Sequence, residues 1–339
     1  MYDIMTPGPT QVRENVRQAR ALACTNPDLD ADFYDFYKVV IIMKYEIFDA
    51  HCDTALKLYF DGKNLYDSDC MVSAKKCENY KKATYTMAIF NDKSLKCADI
   101  FAIIEKIKAE TKALKHTNFD TVIAVEGLGN TPDLALADVE KLAKSGVRIM
   151  SLTWNDDTPL CGGVGYPKGE GAEGNTKGLT ALGKEYLKEF EKNGIILDTS
   201  HISDKGFYDI LENFGGKVCT THSNSRAVCS YKRNLTDDMF INLKNRGGVA
   251  GINLCPDFLN DTGVASSDDA VRHIEHFMAL GGENNIGIGA DFDGIDSTPS
   301  DIPDCGFLYV LFDKLLALNY SEDIINKISH QNFEKMLKI

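Results

Sequence analysis

Tyr45-Glu46-Ile47-Phe48-Asp49-Ala50-His51-Cys52-Asp53 is an apolar run that closes on a histidine and an aspartate two residues apart. Tyr45 to Ala50 reads as a β-strand. Residues i and i+2 of an extended segment share a face, so His51 and Asp53 point to one side and Cys52 to the other. Imidazole plus carboxylate suits a divalent metal such as zinc. A lone pair of this kind is more often chance than site. Its weight depends on what the other strand ends carry.

Outward from this run, seven more apolar, β-branched-rich stretches lie near 84–90, 120–126, 147–153, 194–199, 217–221, 248–254 and 286–291. Helical periodicity falls between or after them, over 94–116, 133–144, 179–192, 204–214, 236–246, 267–280, 305–318 and 321–337. Ser145-Gly146 and Asn193-Gly194 are helix stop signals. Eight strand–helix alternations predict an α/β protein with a (β/α)8, TIM-like barrel. The glycine-rich stretch Cys161 to Gly171 lacks the order of a phosphate-binding loop. It reads as a long loop on the active face.

The chain has 339 residues, 44% hydrophobic and 26% charged, with a net charge of −13. That composition fits a globular protein with ample core. Nucleic acid is excluded as a partner by the acidic balance. No stretch reaches the ~20 apolar residues of a membrane helix. The start lacks the basic-then-apolar order of a signal peptide, and the end is no lipid-anchor tail, so the expected location is cytoplasmic. Ten cysteines without C-x-x-C spacing read as buried small hydrophobes in a reducing compartment.

Active sites of such barrels sit at the C-terminal ends of the strands. The first strand ends in His51 and Asp53, the third in Glu126, the fifth in His201, the sixth in His222 and the eighth in Asp291 and Asp293. Three of the seven histidines therefore close predicted strands. His116 closes a helix, where a partly cationic side chain is favoured. His273 and His276 are expected on a helix surface. His330 is placed near the barrel rim without a role. Three histidines, an aspartate and a glutamate exceed what one catalytic zinc takes, so two metals sharing a carboxylate fit better. Asp291, needed by neither, is the natural proton carrier.

At these residues the sequence resembles the membrane (renal) dipeptidase family, binuclear zinc dipeptidases with an amidohydrolase-like barrel. The resemblance covers about residues 46–339. It rests on Asp49-Ala50-His51-Cys52-Asp53, Val125-Glu126-Gly127, Asp198-Thr199-Ser200-His201-Ile202-Ser203, Thr221-His222-Ser223-Asn224-Ser225-Arg226, Arg233-Asn234 and Gly289-Ala290-Asp291-Phe292-Asp293-Gly294. It implies that His51 and Asp53 bind one zinc, His201 and His222 the other, and that Glu126 bridges them. Other divalent metals suit the same ligands. A hydroxide between the metals would attack the peptide carbonyl. Arg233 would hold the substrate carboxylate in a bidentate fork. Asp291 would bind the substrate amine and pass a proton to the leaving nitrogen.

Mammalian members carry a histidine after strand four. Here the segment is Leu152-Thr153-Trp154-Asn155-Asp156-Asp157, as in the bacterial branch. Asn155 is a candidate donor to the oxyanion. Trp154 reads as core packing. The expected substrate is a short peptide with both ends free, a dipeptide, with tolerance of a D-residue at the second position implied by the resemblance. A homodimer is the base-rate expectation.

Two rivals stay open. One is another binuclear-metal amidohydrolase, such as a deacetylase, lactonase or cyclic amidase. The other is a non-catalytic metal-binding barrel. Residues 1–43 stand apart as an N-terminal extension. Met5-Thr6-Pro7-Gly8-Pro9-Thr10 with Thr25-Asn26-Pro27 resembles the start of a class V, pyridoxal-phosphate-dependent aminotransferase. The expectation is a fused or mis-annotated leader over 1–42, with the catalytic domain spanning 44–339.

Overall fold

The computed structural model describes residues 45–166 and 177–338. The N-terminal extension and most of the glycine-rich loop past Tyr166 lie outside the described residues.

Among the described residues, eight strands run parallel in the order β6-β5-β4-β3-β2-β1-β8-β7. They are β1 Glu46–Cys52, β2 Lys82–Phe90, β3 Phe119–Glu126, β4 Val147–Ser151, β5 Ile196–Asp198, β6 Val218–Cys219, β7 Ala250–Ile252 and β8 Ile286–Ile288. A bridge between Thr220 and Ala250 joins β6 to β7 and closes the ring. Each predicted strand is present. Several are shorter than their apolar runs, because β5 to β8 give way to loops that carry polar side chains.

Helices follow the strands, and amphipathic patterning explains them. Helix Ala181–Asn193 buries Tyr186, Leu187 and Phe190, starts on Thr180 as its cap and stops at Gly194 with φ +66°. The helix expected from Asp133 begins later, at Asp138. Two short helices, Thr54–Phe60 and Pro256–Leu259, were not expected. The last predicted helix divides into Glu322–Asn326, a π turn Lys327–Gln331 and Asn332–Leu337.

That last helix is the floor of the barrel. Phe333, Met336 and Leu337 pack into one cluster with Phe48 and Ala50 of β1, Ala124 of β3, Ile149 of β4 and Cys219 of β6. The Phe48 and Phe333 rings stack 5.6 Å apart. Burial of each large side chain there contributes about 1.5–3 kcal/mol before the entropy of ordering. Gly287 is required, since a Cβ on it would meet Phe333 at 2.4 Å. His330 belongs to this end. It lies 4.0 Å from Glu46 at the start of β1, so its expected place at the rim was wrong.

Candidate metal centre

Phe48 and Ala50 face the barrel interior, yet the next residue, His51, also faces inward. A regular strand forbids that. The pairing of β1 with β2 shows the cause: Asp49 opposes Tyr85 and Cys52 opposes Met87, so β1 carries one extra residue. Such a bulge re-aims a side chain. The shared face of i and i+2 was therefore the wrong reason for placing His51 and Asp53 together. Asp53 lies beyond the strand, at the residue that precedes helix Thr54–Phe60, and makes no side-chain capping bond to it. Cys52 points away, its sulfur against the Thr86 carbonyl and Met87.

The other residues arrive from strand ends around the ring. Glu126 is the last residue of β3. Gly127 follows with φ +71°, and a Cβ there would strike the Asn91 carbonyl at 2.7 Å. His201 and His222 come three residues past β5 and β6. Asp291 comes three past β8 and donates its N–H to the His51 carbonyl at 3.0 Å. His201, Asp291 and Asp293 hold φ near +65° without being glycine, a conformation that costs about 1–3 kcal/mol each.

Glu126 is the centre. Its Oε2 lies 3.4 Å from His51 Nε2, and its Oε1 lies 3.1 Å from His201 Nε2 and 3.6 Å from His222 Nε2. His51 Nε2 is 3.9 Å from Asp53 Oδ1 and 3.8 Å from Asp291 Oδ1. His201 and His222 bring their Nε2 atoms to 3.0 Å of each other. Tetrahedral ligands 2.0–2.1 Å from a zinc stand about 3.3 Å apart. The observed separations bracket that value.

Charge and hydrogen bonding fit a cation as well. His51 Nε2, Asp53 Oδ1 and Glu126 Oε1 are buried without a hydrogen-bond partner. Burial depresses the His51 imidazole, but Glu126, Asp53 and Asp291 outweigh it and hold its pKa at about 10. Burial and the neighbouring carboxylates push Asp53 well up. These four groups together call for more positive charge than one imidazole supplies. His201 and His222 go the other way. Burial, then Arg233 and His51, keep both well below the ordinary range, in the neutral form that ligates metals.

Around this cluster a layer of hydrogen bonds holds the side chains. Asp49 Oδ1 accepts from His51 N at 3.2 Å and from Ala290 N at 2.9 Å, tying the ends of β1 and β8. Asp198 Oδ1 repeats the device between β5 and β6, accepting from Ser200 N and Thr221 N, both at 2.9 Å. Asn155 Oδ1 meets His201 Nδ1 at 2.7 Å. Asn253, at the end of β7, donates to Asp291 Oδ2 at 2.9 Å. Burial, more than anything else, raises the Asp291 carboxyl to about 6. Asn253 was missed in the sequence. Its only signal was a polar residue closing the otherwise apolar run of β7.

The cluster opens into a cleft of about 430 Å³ lined by Asp53, Glu126, Asn155, His201, Arg233 and Asp291 among others. Arg233 is 5% exposed, donates to Ser223 Oγ at 2.7 Å and to the His222 carbonyl at 3.1 Å, and lies over the Phe258 ring. Its Nε has no partner. Trp154 lines the cleft, edge-on to Phe90 and Tyr166, and is not core packing. All eight site residues picked from the sequence thus border one cavity or lie against its floor. Asp293 also lines it but is turned aside, accepting from Lys57, Thr54 and Met71 N. Of the remaining histidines, His276 stays near the surface, 2.7 Å from Asp237. His273 is fully buried, against expectation, with both ring nitrogens bonded.

Residues 72–339 match the model of the membrane dipeptidase family, peptidase family M19. An uncharacterized dipeptidase of Schizosaccharomyces pombe is 34% identical over 184 residues, 54% of this chain and 43% of that one. The chain thus spans less than half the length of that relative. Among solved structures, a metallo peptidase described as dipeptidase AC superposes with a TM-score of 0.74 at 22% identity, covering 87% of this chain and 98% of that one. A metallo peptidase from Rhodobacter sphaeroides, liganded with a phosphinate mimic of the dipeptide L-Ala-D-Ala, superposes with a TM-score of 0.70 at 20% identity, covering 87% and 99%. At these identities the structures show the fold alone.

Proposed function

The chain belongs to the membrane dipeptidase family, peptidase family M19, and from that premise we propose that it is a zinc-dependent dipeptidase. One observation carries the reading: a buried guanidinium and a buried carboxyl, Arg233 and Asp291, border the same cleft as the His51–Asp53–Glu126–His201–His222 cluster. His51 and Asp53 are assigned to one ion, His201 and His222 to the other, with Glu126 between them. When bound, two zinc ions supply Lewis acidity toward the scissile carbonyl and a water nucleophile ionised at neutral pH.

The chain's own groups do the rest. Arg233 lines the cleft with a buried Nε that has no hydrogen-bond partner, and the guanidinium is assigned the substrate carboxylate. Phe258 beneath it and the hydrogen bonds to Ser223 and the His222 carbonyl hold the guanidinium in place. Asp291 borders the cleft with a carboxyl able to exchange a proton, and Asn253 holds its Oδ2 so that Oδ1 is left toward the cluster. Its assigned task is to hold the substrate amine and deliver a proton to the leaving nitrogen. Asn155 uses Oδ1 for His201, which leaves its amide N–H groups for the developing oxyanion. Two anchors at a fixed separation favour dipeptides over longer peptides. Membership of the dipeptidase family is the ground for including L,D-dipeptides among the substrates to be tested.

The test is metal content and kcat/KM of the full chain over L,L and L,D dipeptides, N-acyl amino acids and lactones. Dipeptides should dominate. A preference for lactones or N-acyl amino acids would move the assignment to another amidohydrolase reaction. No turnover after zinc reconstitution would leave a binding protein.

A further inference from the structure

We propose that Thr221, oriented by Asp198, is a positioning residue that sets the tautomer of two metal-site histidines at once. The inference rests on the metal-site reading above. A hydroxyl has one proton to donate and two lone pairs to accept with. Thr221 Oγ1 lies 2.6 Å from Asp198 Oδ2, 2.7 Å from His222 Nδ1 and 3.4 Å from His51 Nδ1. Asp198 Oδ1 already accepts two backbone N–H groups, so the side chain is an acceptor and takes the Thr221 proton on Oδ2. The hydroxyl oxygen is left able only to accept. In the neutral, metal-binding form both imidazoles then carry hydrogen on Nδ1, through a short contact of 2.7 Å for His222 and a longer one of 3.4 Å for His51. That places the lone pairs on Nε2, the atoms that face Glu126.

The geometry is tight. His51 and His222 come from the ends of β1 and β6, with β8 and β7 between them around the barrel, and their rings lie 3.7 Å apart. One oxygen serves both. Ser200 Oγ accepts from His222 N and lies 3.4 Å from the hydroxyl, as far as His51 Nδ1; a proton it donated there would go to the same accepting oxygen and leave the Thr221 proton on Asp198. Asp198 and Thr221 are 3% and 0% exposed, so water does not compete. Tying β5 to β6 needs only Asp198 Oδ1. The bond from Oδ2 to the hydroxyl is surplus to that task, and the tautomer accounts for it. His201 is outside this device and relies on Asn155.

The experiment uses the full chain loaded with zinc. Zinc dissociation constants are measured by chelator competition for wild type, Thr221→Val, Thr221→Ser and Asp198→Asn, with thermal unfolding alongside. Losing such an outer hydrogen bond weakens metal binding by about 10–100-fold. Thr221→Val should show that loss, and Thr221→Ser, which keeps the hydroxyl, should stay within roughly three-fold of wild type. Asp198→Asn turns an amide N–H toward the hydroxyl and sends its proton to a histidine, so it should weaken zinc at least as much as Thr221→Val. Long-range 1H–15N spectra should place hydrogen on Nδ1 of His51 and His222 in wild type. Wild-type zinc affinity in Thr221→Val, equal losses in Thr221→Val and Thr221→Ser, or hydrogen on Nε2 of His222 would each overturn the proposal. A wild-type chain that holds no zinc refutes the metal-site reading instead, and the His222 signal of that chain still decides this one.

Discussion

His273→Gln is expected to remove one acid-sensitive step from unfolding. His273 Nδ1 accepts from Ser225 N at 3.0 Å, so its hydrogen sits on Nε2, which donates to the Leu259 carbonyl at 2.9 Å. A second proton would set two donors, Nδ1–H and Ser225 N–H, against each other. Burial above all lowers the pKa from 6.5 to about 4; Arg272 and His276 add to this, while Leu259 and Asp269 oppose it. The fold therefore favours neutral His273, and the unfolded chain takes up the proton first. Stability from this residue is complete above about pH 6.5, falls as pH drops toward 4, and is flat below. The full loss is about 3 kcal/mol. Urea unfolding of wild type and His273→Gln across pH 7.5 to 3.5 isolates it, because acid effects common to both chains cancel. The stability gap between the two should shrink by about 3 kcal/mol between neutral pH and pH 4. A gap constant within about 0.5 kcal/mol would refute the reasoning.

Other outcomes follow from the site. Arg233→Met should raise KM for dipeptides about 10–100-fold, the worth of a charge-assisted hydrogen bond, yet leave dipeptide amides, which lack the carboxylate, near wild type; an equal loss on both would refute the assignment. Asp291→Asn should lower kcat by about 10²–10⁴ with zinc content unchanged, as read by metal analysis beside steady-state rates. Asn155→Ala with kcat inside a factor of two of wild type would remove the oxyanion role. Gly289→Ala should lower the melting temperature sharply or prevent folding, since its Cβ would lie 1.7 Å from the Thr221 carbonyl oxygen.

The barrel was legible because eight apolar runs alternate with helical periodicity, and that alternation is a local property. The cluster was legible because polar side chains at strand ends converge once the ring closes. What escaped depends on contacts far apart in sequence. The extra residue in β1 shows only in its pairing with β2. His273 looks like a surface residue until Ser225 and Leu259 arrive beside it. His330 sits on the floor because the π turn Lys327–Gln331 brings it back to the start of β1. Helix Pro256–Leu259 is four residues long, too short for any periodicity.

The floor helix also sets a schedule for synthesis. Phe48 and Ala50 are made early, but the residues that cover them, Phe333, Met336 and Leu337, emerge almost 300 positions later. At about 5–20 residues per second that interval is on the order of 15 to 60 s. Through it the inner face of β1 has no lasting cover, in a cell crowded with other unfinished chains. Any later event that peels off Asn332–Leu337, a protease cut or a frameshift near the end, returns the barrel to that unfinished state. The last helix is therefore where loss of a few residues should convert a folded enzyme into a substrate for chaperones.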